Sequence, residues 1–203
     1  MRLAQIIAAS IFAASLAAAP ALAAPVATAP QSAQQQNAGS YTAAEVVAAG
    51  HEFFGATSGG LATMVEKLVS QYGLPNGYVI GQEGSGAIFG GLRYGEGAIY
   101  TKTAPPRHIF WQGPSIGWDI GGDGNRTMML VYNLPATDSI YRRFAGVNGS
   151  AYLIGGLGMT VLANDNGSGQ MIYVVPIRSG VGARLGVNIG YLKFTTQPTW
   201  NPF

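Results

Sequence analysis

The chain has 203 residues, 30 of them Gly and 11 Pro, with only 10% charged residues, 48% hydrophobic residues and a formal charge of +2. Gly at twice its ordinary usage of about 7% argues against a helix bundle, and so apolar a chain is not a disordered polyelectrolyte. The absence of Cys excludes disulfides, thiolate catalysis and Cys-ligated metals. With His51 and His108 as the sole histidines, a multi-His metal site is excluded as well.

Arg2, the uncharged apolar stretch Leu3–Ala19 and the small-residue run Ala21–Ala24 follow the order of a secretory signal peptide cleaved near Ala23. Its Ala-rich run, with Gln5, Ser10 and Ser15, is too weakly apolar for a membrane anchor. Removing Arg2 from the eleven basic residues leaves ten against nine acidic ones, a poor balance for binding nucleic acid. Residues 24–40 carry no charge, no large aromatic and no periodicity, so they read as a disordered linker. The remaining residues, 41–203, read as one domain with no further transmembrane segment.

Thr42 and Glu45 form a T-x-x-E capping box. Behind it Val46, Val47, Ala49, Gly50, Phe53 and Phe54 recur on one helical stripe, closed by Gly55. The opposite face carries Glu45, His51 and Glu52, whereas a membrane-surface helix wants Lys or Arg there, so this helix is expected to dock on a core. A second helix is expected from about Gly60 to Tyr72, with Leu61, Met64, Val65, Leu68 and Val69 on its stripe and Gly73 as its cap.

From Tyr78 onward the pattern is short strands and turns. Strands are expected at 78–83, 86–93, 97–103, 107–112, 115–121, 126–133, 150–155, 157–163, 170–178 and 183–196. Tyr94–Gly97, Ala104–Pro106, Gly121–Asn125 and Asn164–Ser168 are the expected separators. Gly within so many strands favours a small, strongly curved antiparallel β-barrel of roughly ten short strands over a flat sheet. Met128–Tyr132 and Met171–Val175 are apolar on both faces, so the two N-terminal helices are expected to pack over them. The fold class is therefore mainly β, of the α+β kind.

Little in the chain spells catalysis. Gly84–Gly90 and Gly180–Gly186 have the spacing G-x-G-x-x-x-G, but neither opens a helix, so no helix N-terminus is aimed at a phosphate. Asp123 and Asn125, and Asn164–Asn166, fit turns better than calcium loops. Gly113-Pro114-Ser115-Ile116-Gly117 spells G-x-S-x-G, and His108 precedes it. However, Trp118–Gly122 does not continue as the helix a nucleophile elbow requires. Glu83, Glu96, Asp119 and Asp123 have no context that marks a glycosidase pair. Trp111 and Trp118 are either pocket walls or core.

Three stretches resemble the envelope integrity protein A family of Gram-negative periplasmic proteins. They are Gly91-Leu92-Arg93-Tyr94-Gly95-Glu96-Gly97, the run Trp111-Gln112-Gly113-Pro114-Ser115-Ile116-Gly117-Trp118-Asp119, and the run from Pro176-Ile177-Arg178-Ser179 to Tyr191. The resemblance spans about residues 41–196. It implies a small antiparallel barrel, export to the periplasm and a role in envelope integrity with no established catalytic activity. More distantly, the Gly-rich strand followed by W-x-x-P-S is similar to the lipid-binding SYLF (Ysc84-type) domain.

The expectation is a non-catalytic envelope protein with no cofactor, no metal and no nucleic-acid partner. The alternatives are a lipid- or amphiphile-binding barrel and an envelope-polymer hydrolase. The expected partner is an envelope component, lipid or glycan. Trp111 and Trp118 offer apolar area to a ligand, and Arg93, Arg178 and Arg184 offer cations on Gly-rich strands.

Overall fold

A computed structural model describes residues 39–55, 59–86, 91–114, 125–148, 150–179, 190–199 and 201. Helix α1 spans Ala43–Phe54 and helix α2 Leu61–Tyr72. The capping box is present: Thr42 accepts from the Glu45 N–H at 3.2 Å, and the Thr42 N–H donates to Glu45 Oε2 at 2.7 Å. Gly55 and Gly73 end the two helices at φ +91° and +78°, a region that glycine enters without strain.

Among the described residues ten strands follow: β1 Gly77–Gly86, β2 Leu92–Thr101, β3 Ala104–Pro114, β4 Asn125–Tyr132, β5 Arg143–Gly146, β6 Tyr152–Ile154, β7 Leu157–Met159, β8 Leu162–Asp165, β9 Met171–Ser179 and β10 Tyr191–Thr195. Every pairing is antiparallel. Eight strands close into a barrel in the order β4-β1-β2-β3-β10-β5-β8-β9, with β4 pairing β9 to complete the circle. β7 continues the line of β8 along β9, and β6 folds back on β7 through Gly155-Gly156, both at positive φ, as a two-residue hairpin turn requires.

Two cores result, one on each side of the barrel wall. Along β4, Met129 and Val131 point inward while Met128, Leu130 and Tyr132 point outward. The inner core gathers Val79, Ile99, Ile109, Trp111, Phe144, Val174, Leu192 and Phe194. The outer core joins Val46, Leu61, Met64, Val65 and Leu68 of the helices to Val175 and Ile177 of β9. The two-faced apolar strands thus have the helical cover they predict.

Several boundaries differ from expectation. Tyr94–Gly97, expected as a separator, lies in the middle of β2, because its glycines serve close packing inside the barrel and not a turn. Gly97 pairs directly with Gly81 of β1, and a Cβ on either would strike the partner's backbone. Ala104–Pro106 opens β3 instead of preceding it. The two prolines are accommodated because β3 meets β10 only from Phe110 onward, so its start has an open edge. β5 and a short 3-10 turn at Thr137–Ile140 are additions to the expected set. The strand expected at 115–121, the middle of that at 86–93 and the first half of that at 183–196 fall outside the described residues.

Candidate functional site

Strand alternation sets Glu83, Arg93, Trp111 and Arg178 on the inner face, in line with Val79, Ile99, Ile109 and Val174 respectively. All four meet at one end of the barrel. Arg178 grips the Glu83 carboxylate with two bonds, Nε to Oε1 at 2.9 Å and Nη2 to Oε2 at 3.2 Å. Arg93 Nη1 donates to Oε1 at 3.3 Å while its Nε donates to the Pro114 carbonyl at 3.0 Å. The Trp111 indole N–H completes the set, donating to Oε2 at 2.9 Å. Glu83 is 5% exposed and Trp111 fully buried.

Gly95 makes this arrangement possible. It lies between Glu83 and Trp111 in the cross-strand row, and the indole lies flat over it where any Cβ would collide with the ring. Burial is the largest influence on the Glu83 carboxyl and pushes its pKa up. The Arg178 and Arg93 guanidiniums, with the hydrogen bonds from Arg178 and Trp111, outweigh burial and hold it below the ordinary carboxylate value. Glu83 is therefore an ionised acceptor of four charge-assisted or indole hydrogen bonds, unsuited to giving or taking a proton.

The outer face of the same three strands carries a cavity of about 320 Å³, within the range of small-molecule sites. Three cross-strand rows line it: the outward-facing Gln82–Glu96–Phe110 and Gly84–Tyr94–Gln112 and, between them, the row Glu83–Gly95–Trp111. Pro198 and Thr199 wall it on one side. Gln112 is 1% exposed, and its Nε2 has no hydrogen-bond partner among the described residues. A larger cavity of about 610 Å³ lies at the opposite barrel end, lined by backbone and uncharged side chains such as Tyr72, Asn76, Thr101 and Gln170.

The structure brings together three of the five ligand-binding candidates, Trp111, Arg93 and Arg178, and joins them through Glu83. Trp118 and Arg184 lie outside the described residues, as do Ser115, Asp119 and Asp123. His108 is exposed on the outer face of β3, edge-on to Phe110 at 4.6 Å between ring centroids. Among the described residues, no group of three or more His, Asp or Glu could hold a metal, and no helix is long and apolar enough to cross a membrane. Sequence reasoning left Glu83 without context and passed over Gly95 and Gln112. The available signal was the period of two that puts Glu83 in register with Val79.

The family model for envelope integrity protein A matches residues 39–203. A crystal structure of a beta-barrel-like, uncharacterized protein from Brucella abortus is similar at 62% identity, with a TM-score of 0.74, covering 81% of this chain and 99% of that one. No curated protein matches the chain.

Proposed function

The chain belongs to the envelope integrity protein A family, and from that premise we propose that it is a periplasmic protein that supports the cell envelope by binding, without catalysing a reaction. The state of Glu83 carries this reading. It is the most deeply placed carboxylate among the described residues, and its oxygens are taken up by Arg178, Arg93 and Trp111. A catalytic carboxylate keeps an oxygen for substrate and a pKa tuned near the working pH, and Glu83 has neither. The signal-like order of residues 1–23 supports export.

The inner core bears on what kind of binder this is. Trp111, Phe144 and Phe194 pack against one another inside the barrel, with centroid separations of 6.4 Å and 5.6 Å along the chain of contacts. That filled interior favours binding at the barrel's outer face or ends over an acyl chain threaded through its middle.

Complementation tests the proposal. A strain lacking the protein should become sensitive to detergents and cell-wall antibiotics, and chains carrying Ser115→Ala or His108→Ala should restore resistance in full. Removing either member of a working nucleophile–base pair lowers turnover by orders of magnitude. Failure of a well-folded Ser115→Ala or His108→Ala chain to complement would refute the non-catalytic reading, and unchanged sensitivity of the deletion strain would refute the envelope role.

A further inference from the structure

We propose that a cavity on the outer face of β5 and β10 binds a phosphate ester, with Arg142, Arg143 and Lys193 as its cationic wall. The inference rests on the reading above that the protein works by binding, and it names the class of ligand. The cavity has a volume of about 420 Å³, and Tyr141, Arg142, Arg143, Lys193, Thr195 and Thr196 line it. Strand alternation sets it on the outside of the barrel: Phe144, Leu192 and Phe194 belong to the inner core, so Arg143 and Lys193 point away from it. Those two cations stand directly opposite each other in the β5–β10 ladder. Like charges so placed oppose pairing, and an anion seated between them replaces repulsion with attraction.

The contacts within the protein leave the guanidinium charges uncompensated. Arg142 Nη1 donates to the Asp165 carbonyl at 3.3 Å, and the exposed Arg143 guanidinium lies 4.7 Å from the Tyr191 ring centroid. Neither arginine takes part in an ion pair among the described residues. Lys193 Nζ donates to the Asn201 carbonyl at 3.4 Å. The carboxylates on neighbouring elements are engaged elsewhere. Asp165 Oδ1 accepts the Gly167 and Gly169 N–H groups at 2.8 and 3.3 Å, and Asp138 pairs with Arg107. A phosphate ester suits this wall better than a carboxylate, because its non-bridging oxygens accept guanidinium forks and an ammonium from several directions at once. The volume leaves room for the alcohol part of the ester beside Tyr141 and Thr196. A neutral sugar would leave the opposed cations as they are.

The test has two arms on the full exported protein. In one, glycerol 3-phosphate is titrated and followed by NMR, with sodium chloride at matched ionic strength as control. In the other, vesicles of phosphatidylglycerol are compared with vesicles of phosphatidylcholine by co-sedimentation. Shifts at Tyr141, Arg142, Arg143 and Lys193 with glycerol 3-phosphate identify a soluble ester. Selective binding to phosphatidylglycerol alone identifies a lipid headgroup, and either result supports the site. In the arm that responds, Arg142→Gln should weaken binding about tenfold, the worth of one charge-assisted hydrogen bond. Arg143→Glu should abolish it while the melting temperature stays level or rises, since a carboxylate opposite Lys193 turns a like-charge pair into an opposite one. The proposal is overturned if the vesicles do not bind and the ester gives no shift at about 10 mM, well above a Kd of ~1 mM. It is also overturned if sodium chloride reproduces the shifts, or if binding survives Arg143→Glu. These outcomes leave the deletion phenotype untouched, so loss of the phosphate site and loss of the envelope role are separable results.

Discussion

Replacing Glu83 by Gln would leave the Arg93 and Arg178 guanidiniums facing each other across a neutral amide in the barrel interior. Breaking a buried ion pair from one side costs about 3–5 kcal/mol, because the surviving charge stays desolvated. We expect a loss of that order for Glu83→Gln in urea denaturation monitored by Trp fluorescence. The same carboxylate gives the fold an acid limit. Its pKa is held below the ordinary 4.5, as is that of Glu45, which the Thr42 backbone N–H, the Lys102 ammonium and the Thr42 hydroxyl bring down to about 2. A group with a depressed folded pKa contributes stability in full above its unfolded value and loses it as pH falls through the folded one. Stability should therefore be level near neutrality and decline from about pH 4.5 downward, and Glu83→Gln should flatten part of that decline. Tyr132 illustrates the opposite case. Its hydroxyl is buried between helices and barrel with no partner among the described residues, and its ring centroid lies 5.7 Å from that of Tyr72. Tyr132→Phe removes a desolvated group without breaking a hydrogen bond, so the protein should be stabilised by about 1 kcal/mol in thermal melts. The sequence displays Arg93, Trp111 and Arg178 as conspicuous side chains on Gly-rich strands. It does not display that one carboxylate joins them, because Glu83 stands up to 95 positions away and no local pattern encodes that distance.

At the scale of the element, legibility follows how local the cause is. Both helices read correctly from caps and a 3.6-residue stripe, since the determinants lie within one turn of each other. The glycines of the strands misled for the opposite reason. A Gly at 95 or 97 looks like a turn until the strands on either side of it are known: β1 puts Gly81 opposite Gly97, and β3 puts Trp111 opposite Gly95. β5, four residues long, has too short a period to register at all. The junction of α2 with the β6–β7 hairpin has the same character. Gly60 and Gly155 approach so closely that a Cβ on Gly60 would strike the Ile154 carbonyl. Within α1 the cap is separable from packing. Thr42→Ala removes the acceptor for the Glu45 N–H and leaves the outer core intact, so it should cost about 1 kcal/mol. Hydrogen exchange should quicken in the first turn of α1 and not in β4.

The whole molecule depends on the seam that β10 closes. Among the described residues β10 joins β3 on one side at Gln112, Trp111 and Phe110 and β5 on the other at Ala145, Phe144 and Arg143. Without β10 the barrel is an open sheet whose inner face, with Trp111, Phe144 and the Glu83 cluster, meets water. Side chains add to the backbone pairing at this seam. Phe194 does this: 2% exposed, it packs edge-on against Phe144 at 5.6 Å and tilted against Trp111 at 6.4 Å, linking the strands on both sides of β10. Truncating a buried Phe to Ala costs about 3–5 kcal/mol, a large share of the 5–15 kcal/mol that holds a domain of ordinary stability. Trp111 is the shared wall between the ion cluster and this aromatic core, so the loss at Phe194 should reach Glu83 as well. Phe194→Ala is therefore expected to lower the urea midpoint steeply, with Trp fluorescence and far-UV circular dichroism changing together, because barrel and helices share β4 as a common wall. Separate transitions, with the helices and β4 keeping their hydrogen-exchange protection while β3 and β10 lose theirs, would show that the outer layer stands without the closed barrel.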